Sequence, residues 1–191
     1  MALETNPART LFLWMDDLGR LLDRLHVSPS AVTITGLGVT SAGAVLIGSG
    51  YLLSGALIVG AGSALDALDG PLARATGKAS ERGAVLDSLS DRFGETFMWS
   101  GLAYYVAGQP LLVVLCLLSL GFSYGVSYLR SKAEALGIDG TGGWMARPFR
   151  VLLYVVGTGS GLVEPMLWLM VPLTGLTVLQ RLGRIWSDLA K

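Results

Sequence analysis

Four aspartates mark the place in this chain where chemistry is most concentrated. Asp66 and Asp69 are three residues apart and Asp87 and Asp91 four apart, so on helices each pair shares one face. The first pair closes a long apolar stretch in Asp66-Ala-Leu-Asp69-Gly70-Pro-Leu-Ala73-Arg74, and the second opens the next in Gly83-Ala-Val-Leu-Asp87-Ser-Leu-Ser-Asp91. Acids at a hydrocarbon boundary cost on the order of a few kcal/mol each, so they point to function. A plainer reading, surface acids paired with Arg74, Arg82 and Arg92, leaves that cost unexplained. Four converging anions also repel one another unless a cation lies between them. An oxygen-only donor set, with no Cys or His, suits Mg²⁺, Mn²⁺ or Ca²⁺ better than zinc. Gly70 leaves the backbone bare beside Asp69, where a phosphate can approach, and Arg74 lies one turn on, able to fork onto phosphate oxygens. Metal-held phosphates make a good leaving group, and a carboxylate not fully committed to metal can take the proton from an attacking hydroxyl.

The elements that carry these acids are set by hydropathy. Of 191 residues, 52% are hydrophobic and 15% charged, with a mean hydropathy of +0.58, too apolar for an ordinary soluble domain. Apolar runs predict six spans near 31–49, 51–73, 84–107, 110–130, 148–163 and 165–183, most of them near the ~20 residues that cross hydrocarbon. The fifth is short and rich in glycine, and Pro172 lies in the sixth. With six spans, every basic cluster falls on one side: Arg9, Arg20 and Arg24; Arg74, Lys78, Arg82 and Arg92; Arg130, Lys132, Arg147 and Arg150; Arg181, Arg184 and Lys191. The opposite connections hold no Lys or Arg. The positive-inside bias then puts both termini, and the aspartates, at the cytoplasmic face of the cell membrane.

Before the first span, Leu11, Trp14, Met15, Leu18, Leu21, Leu22 and Leu25 recur at helical spacing opposite Asp16, Arg20, Asp23 and Arg24, the pattern of an interfacial amphipathic helix over 8–27. His26 follows it as a plain interfacial residue, and Ser28-Pro29 reads as the cap and first turn of the first span. Expected, then, is an all-α polytopic membrane protein: one domain over 1–191, with the interfacial helix at 8–27 and a six-span core at 28–191. The abundant glycines imply close helix packing rather than a phosphate loop, since no strand precedes them. Cys116, alone in an apolar run, is expected in the core. Fourteen basic against fourteen acidic residues give a net charge of +0, with no general attraction to nucleic acid.

The pattern Asp66-x2-Asp69-Gly70-x2-Ala73-Arg74-x8-Gly83-x3-Asp87-x3-Asp91 resembles the signature of the CDP-alcohol phosphatidyltransferase family at every fixed position. The resemblance implies two Mg²⁺ or Mn²⁺ ions per active site held by Asp66, Asp69, Asp87 and Asp91, with Asp91 also the base. It implies that Gly70 and Arg74 hold the phosphates of CDP-diacylglycerol, and that Ser30, Ala31, Val32 and Thr33, with Ser80 in the connecting loop, contact the nucleotide. The later segments Val126-Ser-Tyr128-Leu-Arg130-Ser-Lys132, Ala146-Arg147-Pro148-Phe149-Arg150 and Gln180-Arg181 are most similar to the branch that makes phosphatidylinositol phosphate. There, three basic residues grip the phosphate of the acceptor, and the matching positions are Arg130, Arg150 and Arg181. Arg130 stands where that branch usually has Lys, and Ala146 and Phe149 where it has two glutamates. On their own these arginines read as headgroup anchors.

The activity implied is transfer of the phosphatidyl group of CDP-diacylglycerol to the hydroxyl of 1D-myo-inositol 3-phosphate, releasing CMP, by a homodimer in membrane lipid. Glycerol 3-phosphate is the alternative acceptor. An aspartate-rich intramembrane prenyltransferase fits less well, because its acidic motifs lie far apart in sequence. A divalent-cation transporter needs polar residues across the outer half, which this chain largely lacks.

Overall fold

The computed structural model describes residues 28–68, 70, 72–73, 77 and 79–190. The expected amphipathic helix over 8–27, with His26, lies outside the described residues, as do Asp69 and Arg74. Those described form six helices and no strand: α1 Pro29–Gly48, α2 Leu52–Asp66, α3 Glu81–Tyr105, α4 Pro110–Ala135, α5 Arg147–Gly159 and α6 Val163–Leu189. Three of them, α1, α4 and α6, are long and apolar enough to cross a membrane. At 15 and 13 residues, α2 and α5 are shorter. The 25 residues of α3 include Asp87, Asp91, Arg92 and Glu95.

Local chemistry explains where several helices start. Ser28 caps α1, its Oγ accepting from the Ala31 amide at 3.2 Å, and Pro29 follows at the first helical position. Ser80 does the same for α3, accepting from Gly83 N at 3.1 Å. Several helices outrun the apolar segments that announced them. α4 continues from the expected 130 to Ala135 and α6 from 183 to Leu189, while α2 stops at Asp66 rather than near 73. Hydropathy reports the depth of hydrocarbon, whereas a helix continues as long as its i→i−4 bonds hold.

The helices close into a ring in which α1 packs on α2, α2 on α5, α5 on α6, α6 on α4, α4 on α3 and α3 back on α1. Glycine permits the tightest of these contacts, as its abundance implied. A Cβ on Gly43 would lie 2.8 Å from Gly55 O and Val59 N, and Gly62 abuts the Thr40 hydroxyl. Within the ring, Tyr154 is fully buried and meets Trp99 edge-on, ring centroids 5.1 Å apart. Its hydroxyl donates to Met98 O at 2.6 Å, which joins α5 to α3. Leu102, Cys116, Met166, Leu167 and Met170 complete this apolar core, with Cys116 placed as expected.

Candidate active site

Asp66 ends α2, and Asp87 and Asp91 lie on successive turns of α3. One carboxylate oxygen from each lies within 4.8 Å of the other two, so residues over twenty positions apart share one site. Gly36 lets α1 pack closely against this end of α2, since a Cβ there would stand 3.2 Å from the Cβ of Asp66. Asp66 is buried, and its Oδ1 has no hydrogen-bond partner. Buried acceptors in that state carry an unmet demand for a donor or a cation. An all-oxygen cluster of this size fits a hard divalent ion.

Arg147, the first residue of α5, reaches into the cluster: Nη2 lies 2.9 Å from Asp66 Oδ2 and Nη1 2.5 Å from Asp91 Oδ1. Sequence reasoning placed Arg147 in a motif but gave it no role. Glu95 was also missed. It is buried on α3 one turn beyond Asp91 and receives a 2.5 Å hydrogen bond from Arg150 Nη2. The signal was available in the four-residue step from Asp91 to Glu95, an acid continuing the same face into an apolar helix.

Beside the aspartates opens a cavity of about 300 Å³ whose lining includes Asp87, Asp91, Glu95, Arg147 and all three expected arginines, Arg130, Arg150 and Arg181. These come from α4, α5 and α6, so the ring brings together what the sequence keeps far apart. They are held differently. Arg150 is 3% exposed and also donates to Met145 O at 2.9 Å. Arg181, 6% exposed, donates from Nε to Gly142 O and from Nη1 to Val126 O, both at 2.8 Å. Arg130 is exposed and pairs with Glu134 one turn on, at 2.8 Å.

A second cavity, of about 250 Å³, is lined by Ser30, Thr33, Gly70, Ser80 and Asp87 among others. Asp87 borders both cavities. Ala31 and Val32, which the resemblance groups with Ser30 and Thr33, do not line this cavity: Val32 is buried in the protein and Ala31 is exposed. A helix advances about 100° per residue, so of four consecutive positions only the first and last return to one side. Ser80 reaches the cavity with its Oγ already engaged in capping α3.

Residues 26–179 match the family model of CDP-alcohol phosphatidyltransferases. The chain is 36% identical to phosphatidylinositol phosphate synthase of Mycobacterium marinum, over 90% of this chain and 79% of that protein. It is 33% identical to the Mycobacterium tuberculosis enzyme of the same name, over 90% and 85%. Among solved structures it resembles the M. tuberculosis phosphatidylinositol phosphate synthase with CDP-DAG bound, with TM-score 0.83 and 32% identity over 90% of this chain and 93% of that one. The same enzyme in complex with manganese and citrate gives TM-score 0.82 at 32% identity, covering 90% and 88%.

Proposed function

The chain belongs to the CDP-alcohol phosphatidyltransferase family, and we propose that it transfers the phosphatidyl group of CDP-diacylglycerol to the hydroxyl of 1D-myo-inositol 3-phosphate. The observation that carries the acceptor is the single cavity joining Asp87 and Asp91 to Arg130, Arg150 and Arg181. A small alcohol with a phosphate can rest that phosphate on the arginines and still present a hydroxyl to the carboxylates. The relatives named phosphatidylinositol phosphate synthase support the same choice.

In this reading Asp66, Asp69, Asp87 and Asp91 hold two Mg²⁺ or Mn²⁺ ions, which when bound neutralise charge on the pyrophosphate of the donor. Ser30, Thr33, Gly70, Arg74 and Ser80 hold the CDP portion, for which the second cavity offers room. Asp91 takes the proton from the acceptor hydroxyl. The freed oxygen attacks the lipid-side phosphorus, its bond to the bridging oxygen breaks, and CMP departs beside Arg74. The basic trio orients the acceptor, so that attack becomes effectively unimolecular.

The membrane arrangement belongs to the same proposal. All six helices span the bilayer, with the interfacial helix at 8–27 and both termini cytoplasmic, which places every basic cluster on one face. The whole of 1–191 is one catalytic domain, working as a homodimer within membrane lipid. Purified protein given CDP-diacylglycerol and a panel of labelled acceptors tests the reaction through CMP release. Inositol phosphate should be the preferred acceptor. Preference for glycerol 3-phosphate would change the product and keep the chemistry, and no CMP release with any alcohol would refute the reading.

A further inference from the structure

We propose that Arg147 is the resident counter-ion of the aspartate cluster: a divalent cation must displace its guanidinium, which then turns into the arginine-lined cavity and frees its positive charge for the acceptor phosphate. This rests on the proposed metal and acceptor sites. It assigns a role to a residue that neither the signature nor the basic trio includes.

The present position of Arg147 is held by the acids. It stands at the first residue of α5 with Pro148 next, where the partial positive charge of a helix N-terminus disfavours a cation. What offsets this is the pairing with Asp66 and Asp91, at 2.9 and 2.5 Å. The pairing leaves Oδ1 of Asp66 and Nε of Arg147 buried without a hydrogen-bond partner, so part of the charge and hydrogen-bonding demand of the cluster stays unmet. Such an arrangement is open to exchange. A divalent ion on the same oxygens would sit about 2.0–2.6 Å from them, which would bring it within a few ångströms of the guanidinium as a like charge competing for the same acceptors. The ion also carries twice the charge.

The displaced side chain has somewhere to go. Arg147 already lines the cavity of about 300 Å³ that holds the basic trio. There Glu95 is engaged by Arg150 and Glu134 by Arg130, while Arg181 is held by carbonyls alone. Released from the carboxylates, Arg147 no longer has its charge neutralised by them, so its release is favoured when an anion is present to meet it. Metal on the aspartates and phosphate in the cavity then favour each other, and linkage requires the effect to be reciprocal.

Titration of Mn²⁺ into metal-stripped protein by calorimetry tests this, with wild type, Arg147→Ala, Arg147→Gln and Asp87→Ala compared, each with and without sulfate as a tetrahedral dianion. Both Arg147 variants should bind Mn²⁺ about tenfold more tightly, because the competing cation is gone. Their metal-free forms should melt at lower temperature than wild type, and their Mn²⁺-saturated forms at the same temperature. Sulfate should tighten Mn²⁺ binding several-fold in wild type and leave the variants unmoved. A metal-free variant too unstable to titrate still yields its affinity by chelator competition from the loaded form. Unchanged or weaker Mn²⁺ binding in both Arg147 variants, with Asp87→Ala losing the metal, would overturn the counter-ion role alone. Sulfate acting equally on wild type and variants would overturn the link to the cavity. Wild-type Mn²⁺ binding by Asp87→Ala would bring down the metal site itself.

Discussion

Around Tyr154 the helices meet through Trp99, Leu102, Met166 and Leu167, whereas around Asp66 the same ring presents Asp87, Asp91, Glu95 and a set of arginines. The apolar region gains its stability from shape: an edge-on aromatic pair, a hydroxyl received by a backbone carbonyl, and glycines that let helices touch. In lipid, where burying apolar surface gains little, such packing is what holds helices together. The charged region works on other terms. Asp66, Glu95, Arg150 and Arg181 are each at most 6% exposed, and removing charge from water costs several kcal/mol per ion unless partners are well placed. Arg150 comes near that condition, with Nη2 on Glu95 and Nη1 on Met145 O and only Nε left without a partner. The aspartate cluster meets it less fully, since Arg147 pairs with Asp66 Oδ2 and Asp91 Oδ1 while Asp66 Oδ1 is left unpartnered, and a cation has most to gain there.

The contrast predicts opposite responses to mutation. The largest effect is expected at the charged region, where Asp91→Asn should lower turnover by about 10²- to 10⁴-fold while retaining CDP-lipid binding, because the base is lost and a ligand oxygen is kept. Asp66→Ala and Asp87→Ala should lose both turnover and metal-dependent thermal stabilisation. The check is CMP release alongside melting with and without Mn²⁺. Wild-type turnover in Asp91→Asn would remove it as the base and erase the functional half of the comparison.

A smaller effect, of the other kind, is expected from Leu167→Ala. Leu167 is fully buried in the apolar core, and truncation leaves a cavity that costs about 2–5 kcal/mol. The melting temperature should fall, while KM for either substrate and the Mn²⁺ affinity of the surviving folded protein should hold. Loss of metal affinity in this variant would mean that the two regions are coupled through the core.

Much of this division was legible in the sequence. The spacing of Asp66, Asp87 and Asp91 identified the cluster, while Arg130, Arg150 and Arg181 were singled out by the family resemblance, the one-sided basic residues adding only that they lie on the same face. Apolar runs located six helices, because six segments of that character suit little else. What stayed hidden depends on pairing across the ring. Arg150 finds Glu95 fifty-five positions away, and Arg147 finds Asp66 and Asp91 on two other helices, and no local spacing rule reports either. Helix ends were misjudged for a different reason, since α4 and α6 continue past the apolar residues into segments whose hydrogen bonds need no hydrocarbon. Of the four residues that the resemblance assigns to the nucleotide, Ser30 and Thr33 line the second cavity and Ala31 and Val32 do not.

The smallest expected effect sharpens the comparison inside the charged region itself. Arg130 differs from Arg150 and Arg181 in standing at the exposed rim, with more than half of its side chain accessible and Glu134 as its partner. An exposed i,i+4 pair contributes little to stability, so Arg130→Ala should leave the melting temperature unchanged. Its contact with an acceptor phosphate would still be charge-assisted, and its loss should raise KM for inositol phosphate by about tenfold. KM for CDP-diacylglycerol should not move, because Arg130 lines the first cavity and not the second. Glu134→Gln provides the opposite sign: with its competitor neutral, Arg130 is free for the phosphate, and KM should fall by a few-fold. The measurement is initial rate against acceptor concentration for the two variants, with free myo-inositol in parallel. If Arg130→Ala and Glu134→Gln shift KM in the same direction, Arg130 acts on the fold of the rim and not on the acceptor, and the grip belongs to the two buried arginines alone.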